Sequence, residues 1–158
     1  MRHAITIVEL LVVVAIVAIM ASIVGPNLST WNCKQNVEND FSSLNGFLDT
    51  LRLRSASQNR SFVAKVSKNG LKAHYSNKKC KVGSEVGLSN LEINSTINFK
   101  YSNLDTCFHA AGSASSTSFE LYKKCDKRQY RYRSQISGVT GFINKEKYNY
   151  KTRRWDDL

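Results

Sequence analysis

The sequence predicts an α+β fold: a long N-terminal α-helix, apolar in its first half, packed on an antiparallel β-sheet domain. Three observations predict it. Residues 5–24 are an apolar run whose only charge is Glu9. Residues 28–53 place apolar side chains at three- and four-residue steps, the period of an amphipathic helix. From residue 60 onward, short alternating segments are separated by turn residues, the pattern of strands. A helix followed by six or seven short strands is an α+β arrangement. The 158 residues allow one modest domain plus one extra element. A hydrophobic content of 42% excludes general disorder.

The first element reads ITIVELLVVVAIVAIMASIV. Twenty helical residues reach about 30 Å, the thickness of a bilayer's hydrocarbon core. The expected organisation is therefore a transmembrane helix over 5–25 and a soluble domain over 26–158. Arg2 and His3 precede the span and no second apolar run follows it. Positive charge stays on the cytoplasmic side, which directs the soluble domain outward, into an oxidising compartment that suits paired cysteines. A cleaved secretory signal has a shorter apolar core of about 7–15 residues and a small-residue site behind it, which Met20 to Gly25 match poorly. A plain anchor has no use for an acid, because an ionised carboxylate within the run costs about 2.5–3.5 kcal/mol on insertion scales. Glu9 either snorkels to the interface or meets a cationic partner.

Ile5-Thr6-Ile7-Val8-Glu9-Leu10-Leu11, followed by VVVAIVAIMAS, resembles the N-terminal signature of type IV pilins and type II secretion pseudopilins. The resemblance implies that residues 1–4 are a leader, that a prepilin peptidase cuts between Ala4 and Ile5, and that the new N-terminus is methylated. It puts Glu9 at the fifth mature position and Pro26 where many pilins carry a proline. Ala4 stands where the family usually has Gly, and Ile5 where it usually has Phe. Cleavage would free the Ile5 α-amine one helical turn from the Glu9 carboxylate. In a filament Glu9 can meet the Ile5 ammonium of a neighbour, and only the correct axial register pairs the two charges. Ala4 and Ile5 are thus the processing candidates and Glu9 the subunit-registration candidate. Pro26 removes a backbone donor and crowds the preceding turn, so with Gly25 it predicts a kink or a melted turn.

Beyond Pro26, Leu28, Trp31, Cys33, Val37, Phe41, Leu44, Leu48 and Leu51 continue the helix to about Ser57, with their stripe facing the sheet. Strands are expected at 61–68 and 71–76, flanking Asn69-Gly70, a strong hairpin signal, and at 86–93, 96–101, 117–124, 128–136 and 139–143. Residues 110–118 read as a Ser/Gly-rich loop.

The soluble part is similar to the FimT/GspH family of minor pilins and pseudopilins. Leu53-Arg54-Ser55-Ala56, Phe108-His109-Ala110-Ala111-Gly112 with Thr117-Ser118-Phe119-Glu120-Leu121, and the strand from Arg128 to Ile136 before Ser137-Gly138-Val139-Thr140-Gly141 carry the similarity. It implies a pilin-like fold and a non-enzymatic, cofactor-free subunit that helps initiate or cap a type IV pilus or type II secretion pseudopilus. The implied partners are other minor and major pilins or pseudopilins, the prepilin peptidase and an inner-membrane assembly platform. The implied location is the bacterial inner membrane, crossed once, with the soluble domain in the periplasm and the chain incorporated in a filament.

Some members concerned with natural transformation bind DNA through Gly-Arg-x-Arg near the C-terminus. The matching stretch here is Gly141-Phe142-Ile143-Asn144, without either arginine. DNA nevertheless stays the alternative partner, because the chain carries a net charge of +11 concentrated late. Lys123, Lys124, Lys127, Arg128, Arg131, Arg133, Lys145, Lys147, Lys151, Arg153 and Arg154 interleave with tyrosines and Trp155, a mixture that can hold phosphates and stack on bases. On one strand Arg131 and Arg133 share a face and Tyr130 and Tyr132 the other. The competing expectation is therefore aromatics inward and cations solvated.

Cys33, Cys80, Cys107 and Cys125 allow three pairings. Sequence does not choose among them: Cys107 can bridge to Cys125 across the Ser-rich loop and Cys33 can reach Cys80, and the alternative is that one or more thiols are simply buried apolar groups. No Cys-x-x-Cys or His spacing suggests a zinc site. Cys107-Phe108-His109 brings a thiol and an imidazole close in sequence, but no third catalytic group accompanies them.

Overall fold

A computed structural model describes residues 6–77, 80–88 and 90–158, with the side chains of residues 21, 23–27 and 77 left undescribed. Ala4 and Ile5 lie outside the described residues.

Helix α1 spans Ile7–Ser57. Its 51 residues make a rod about 77 Å long. Thr6 caps it in an extended conformation, its Oγ1 accepting the Glu9 backbone N–H at 3.2 Å. Arg54 in the last turn opposes the negative end of the helix dipole. The melted turn expected at Gly25 and Pro26 is absent, since α1 passes through both residues. A proline removes one helical donor, and that single loss does not end a helix with long helical runs on either side.

The strands are β1 (Phe62–Ser67), β2 (Gly70–Asn77), β3 (Lys81–Glu85), β4 (Leu91–Glu92), β5 (Asn98–Tyr101), β6 (Asp105–Phe108), β7 (Thr117–Cys125), β8 (Arg128–Ile136), β9 (Ile143–Asn149) and β10 (Arg154–Asp157). They form two antiparallel sheets. The first has the order β3-β2-β1-β6, with β4 also paired to β2; the second has the order β10-β9-β8-β7-β5. The sequence missed β3, β6 and β10, and placed the last-but-one strand too early at 139–143 instead of 143–149. These strands are short or mostly polar, and pairing partners rather than alternation of their own hold them. The strand expected at 86–93 shrinks to β4, with Val86 and Ile93 entering the core from loop positions.

The first hairpin forms where expected, but Ser67 pairs with Gly70, so its turn is Lys68-Asn69. Gly70 is required for another reason. A Cβ there would lie 1.9 Å from the Leu91 carbonyl oxygen, so β4 can approach β2 only against glycine.

One core joins α1 to both sheets. Val37, Phe41, Leu44, Leu48 and Leu51 on the helix meet Phe62, Leu71 and Phe108 of the first sheet and Phe119, Leu121, Tyr132 and Ile136 of the second. The helix is thus amphipathic in its second half for a packing reason. Polar contacts set its position along β8 and β9. The Tyr132 hydroxyl donates to Glu38 Oε1 at 2.6 Å, the Ser134 hydroxyl to buried Asn45 Oδ1 at 2.8 Å, and Lys145 Nζ lies 3.5 Å from Asp49.

The disulfides are Cys33–Cys125 and Cys80–Cys107, with Cα atoms 5.8 and 5.7 Å apart. Of the three possible pairings, this is not the one that the sequence suggested. Cys107 and Cys125 are near in the chain, but β6 and β7 belong to different sheets. The end of β7 instead reaches the helix at Cys33, and the end of β6 reaches the turn leading into β3.

Candidate functional site

Two surfaces carry the candidate chemistry: the free half of α1 and the outer face of the second sheet.

Every described side chain from Thr6 to Met20 is exposed. Ile7, Val8, Leu10, Leu11, Val12 and Val13 are all more than half exposed. Solvation of so much contiguous apolar surface is unfavourable at about 25 cal/mol per Å², and a surface patch of this kind marks a place that another apolar surface or a lipid covers. Glu9 is the one charge in the described part of this run and is itself exposed. Its backbone is held by the Thr6 cap, and no ion pair engages its carboxylate among the described residues. Among the described residues, no helix is long and apolar enough to cross a membrane. The apolar sequence continues to Val24, with the side chains of Ala21, Ile23 and Val24 outside that set.

On the second sheet, antiparallel register builds two cross-strand rows on the outer face. One row contains Lys100, Glu120, Arg133, Glu146 and Asp157, in register across β5, β7, β8, β9 and β10. The other contains Asn98, Tyr122, Arg131, Tyr148 and Trp155. Opposite charges on neighbouring strands stabilise such rows. Arg131 binds Glu120 through both ends of its guanidinium, with Nη2 donating to Oε2 at 3.0 Å. Arg133 Nε donates to Glu146 Oε2 at 2.6 Å. The guanidinium of Arg133 also lies 4.1 Å from the Trp155 ring centre, and that of Arg131 lies over Tyr148 and Trp155. The hydrogen bond to Glu120 raises the Arg131 pKa, and partial burial opposes it.

Tyr132 does point inward, as alternation requires, and is 2% exposed. The expectation that the arginines opposite it are solvated is wrong. They are half-buried partners of Glu120 and Glu146, because β9 places Glu146 opposite Arg133 and β7 places Glu120 one diagonal step from Arg131.

The eleven candidate phosphate-binding cations therefore divide. Arg131, Arg133 and Lys145 are in ion pairs, Lys123 donates to Thr96 Oγ1 at 2.6 Å, and Lys147 lies 5.6 Å from the Tyr132 ring centre. Lys124, Lys127, Arg128, Lys151, Arg153 and Arg154 are exposed and lack an ion-pair or hydrogen-bond partner for the side chain among the described residues. These six sit in and beside the β7–β8 and β9–β10 turns.

The sequence did not single out Glu38, Asn45, Glu120, Glu146 and Ser134. Asn45 offered a signal, since it lies in phase with Phe41 and Leu48 on the apolar stripe. The Cys107-Phe108-His109 pair is no nucleophile and base, because the Cys107 sulfur is bonded to Cys80.

No protein-family model and no curated protein matches the sequence. Among solved structures, the chain is similar to the type IV minor pilin FimU of Pseudomonas aeruginosa, with 17% identity and a TM-score of 0.55 over 72% of this chain and 90% of that one. It is also similar to the minor pseudopilin EpsH from the type 2 secretion system of Vibrio cholerae, with 8% identity and a TM-score of 0.54 over 78% and 96%. The helix packed on antiparallel sheets is therefore a pilin-like fold of the kind that minor pilins and pseudopilins adopt.

Proposed function

We propose that this chain is a minor pilin or pseudopilin that helps initiate or cap assembly of a type IV pilus or type II secretion pseudopilus. The observation that carries the reading is the helix half running from Thr6 to Met20, exposed and apolar with a lone carboxylate, on a fold shared with a minor pilin and a minor pseudopilin. In this reading the leader holds residues 1–4 until a prepilin peptidase cuts between Ala4 and Ile5. The apolar half then waits in the inner membrane, with the folded domain in the periplasm, until the assembly platform moves it into a filament of other minor and major subunits. There the apolar stripes of neighbours replace lipid, and the Ile5 ammonium of one subunit meets Glu9 of another. Burying either charge alone is costly, and their pairing offsets that cost only at one axial offset.

Glu9→Leu tests this. Expected is a chain that still inserts in the membrane but no longer supports filament assembly in cells. Wild-type filament numbers with Glu9→Leu would overturn the registration role. Intact mass tests processing: loss of residues 1–4 with gain of one methyl is expected, and an untouched start refutes it. The DNA-uptake alternative now rests on six cations instead of eleven. Gel shifts across a salt series, comparing the wild type with a chain carrying Arg153→Ala and Arg154→Ala, test that alternative.

A further inference from the structure

We propose that the two turns at the helix-entry end of the second sheet, together with Trp31, form a basic collar that docks on anionic phospholipid headgroups of the bilayer holding the apolar half of α1. The inference rests on the reading above, that this half of the helix occupies a membrane before assembly.

The topology brings the collar together. Contacts from Glu38 to Tyr132 and from Asn45 to Ser134 show that α1 runs in the same direction as β8. The start of β8 therefore lies toward the apolar half of the helix, and Cys33–Cys125 fixes the β7–β8 turn there. Tyr132 is opposite Lys147 across β8 and β9, so the β9–β10 turn is carried to the same end. A shallow cleft between helix and turn is lined by Trp31, Lys34, Lys127 and Arg128, among others.

Charge is segregated on this sheet. Cations in its middle are matched by Glu120, Glu146 and Asp49. The six unmatched ones are at the turns, where Asp126 is the sole carboxylate within residues 124–128 and 150–154. Lys34 on the helix is paired with Glu38 at 3.5 Å and adds little.

The height along the helix lies just beyond a headgroup layer and within its electrostatic reach. Trp31 is 56% exposed. It lies about 10 Å of helix beyond Val24, where the apolar sequence ends. The polar zone of a bilayer extends about 5–8 Å past the hydrocarbon core, and electrostatic attraction reaches about 8 Å further at physiological salt. Helical side chains lean toward the N-terminus, so the Trp31 ring reaches back from its Cα toward that zone, which tryptophan favours. Phosphate without bases is the better ligand here, because Tyr148 and Trp155 meet edge to face, with Arg131 over both rings and Arg133 over Trp155, so these rings are engaged within the sheet and not presented for bases to stack on.

The test is amide hydrogen exchange of the full chain in vesicles of neutral phosphatidylcholine and in vesicles containing anionic phosphatidylglycerol. Expected is slower exchange at residues 126–128 and 150–153 on the anionic vesicles, by about fivefold or more, the gain that one cation gives beside an anionic surface. Raised salt should abolish the difference. So should a variant with Lys127→Ala, Arg128→Ala, Lys151→Ala and Arg153→Ala, with unchanged protection at Leu44 and Leu48 showing that it folds. Equal exchange on both vesicles, with residues 7–20 protected on both, overturns the collar and leaves the membrane reading standing. Unprotected residues 7–20 on both overturn the membrane reading itself. Slowing by duplex DNA over neutral vesicles, with none on anionic vesicles, overturns the lipid assignment in favour of nucleic acid.

Discussion

Replacing each disulfide by a pair of alanines should destabilise the domain unequally, with Cys33–Cys125 the larger loss. A cross-link restricts the unfolded chain, and the restriction grows with the loop closed. The bridges span 92 and 27 residues. The loop-entropy relation gives about 4.6 kcal/mol for the long loop and about 3.6 kcal/mol for the short one at 25 °C. The difference, about 1 kcal/mol, follows from the logarithm of the length ratio. It is more secure than either total, because local packing losses partly cancel. Each bridge has one sulfur in the core, with Cys125 2% and Cys107 1% exposed, so each double substitution leaves a similar gap. The assay is urea unfolding of the full chain in neutral detergent, followed by near-ultraviolet circular dichroism, under conditions that keep the remaining bridge oxidised. An equal or larger loss on removing Cys80–Cys107 would refute the reasoning and show that native-state contacts around that bridge outweigh chain entropy.

Ser134→Ala removes the donor to Asn45 Oδ1, which is buried at the helix–sheet contact; a loss of about 1–3 kcal/mol in urea unfolding is expected, and a loss near zero would mean that water or another donor replaces the hydroxyl. Burial first, then the hydrogen bond to Glu38, holds the Tyr132 phenol well above the ordinary tyrosine value of 10.0. Because the folded value is raised, the folded state keeps a proton that the unfolded state loses. This contribution is whole below pH 10 and declines as pH rises above it. Alkaline unfolding midpoints should therefore fall more steeply for the wild type than for Tyr132→Phe, and identical slopes would remove Tyr132 from the account.

Much of the architecture was legible because it depends on local periodicity. The apolar run, the stripe from Val37 to Leu51 and the alternation in β7 and β8 are properties of consecutive residues, and the structure has helix and strands in those places. The inward turn of Tyr132 follows from the same alternation. Lone features were harder to read. Gly70 looked like a turn glycine, yet its demand comes from Leu91, twenty-one residues away. Pro26 looked like a break, yet the helix continues.

What the sequence determined by itself was that one long helix precedes the strands, that the first half of this helix is apolar with Glu9 inside it, and that the end of the chain is basic. Each is fixed by composition and spacing within one segment. Tertiary structure alone decided which cysteines meet, which arginines are neutralised and which cations are left at the helix-entry end. Those outcomes depend on strand order and register, where a shift of one residue would turn Arg131 and Arg133 inward. Long-range pairing, and not the identity of any single residue, sets that register.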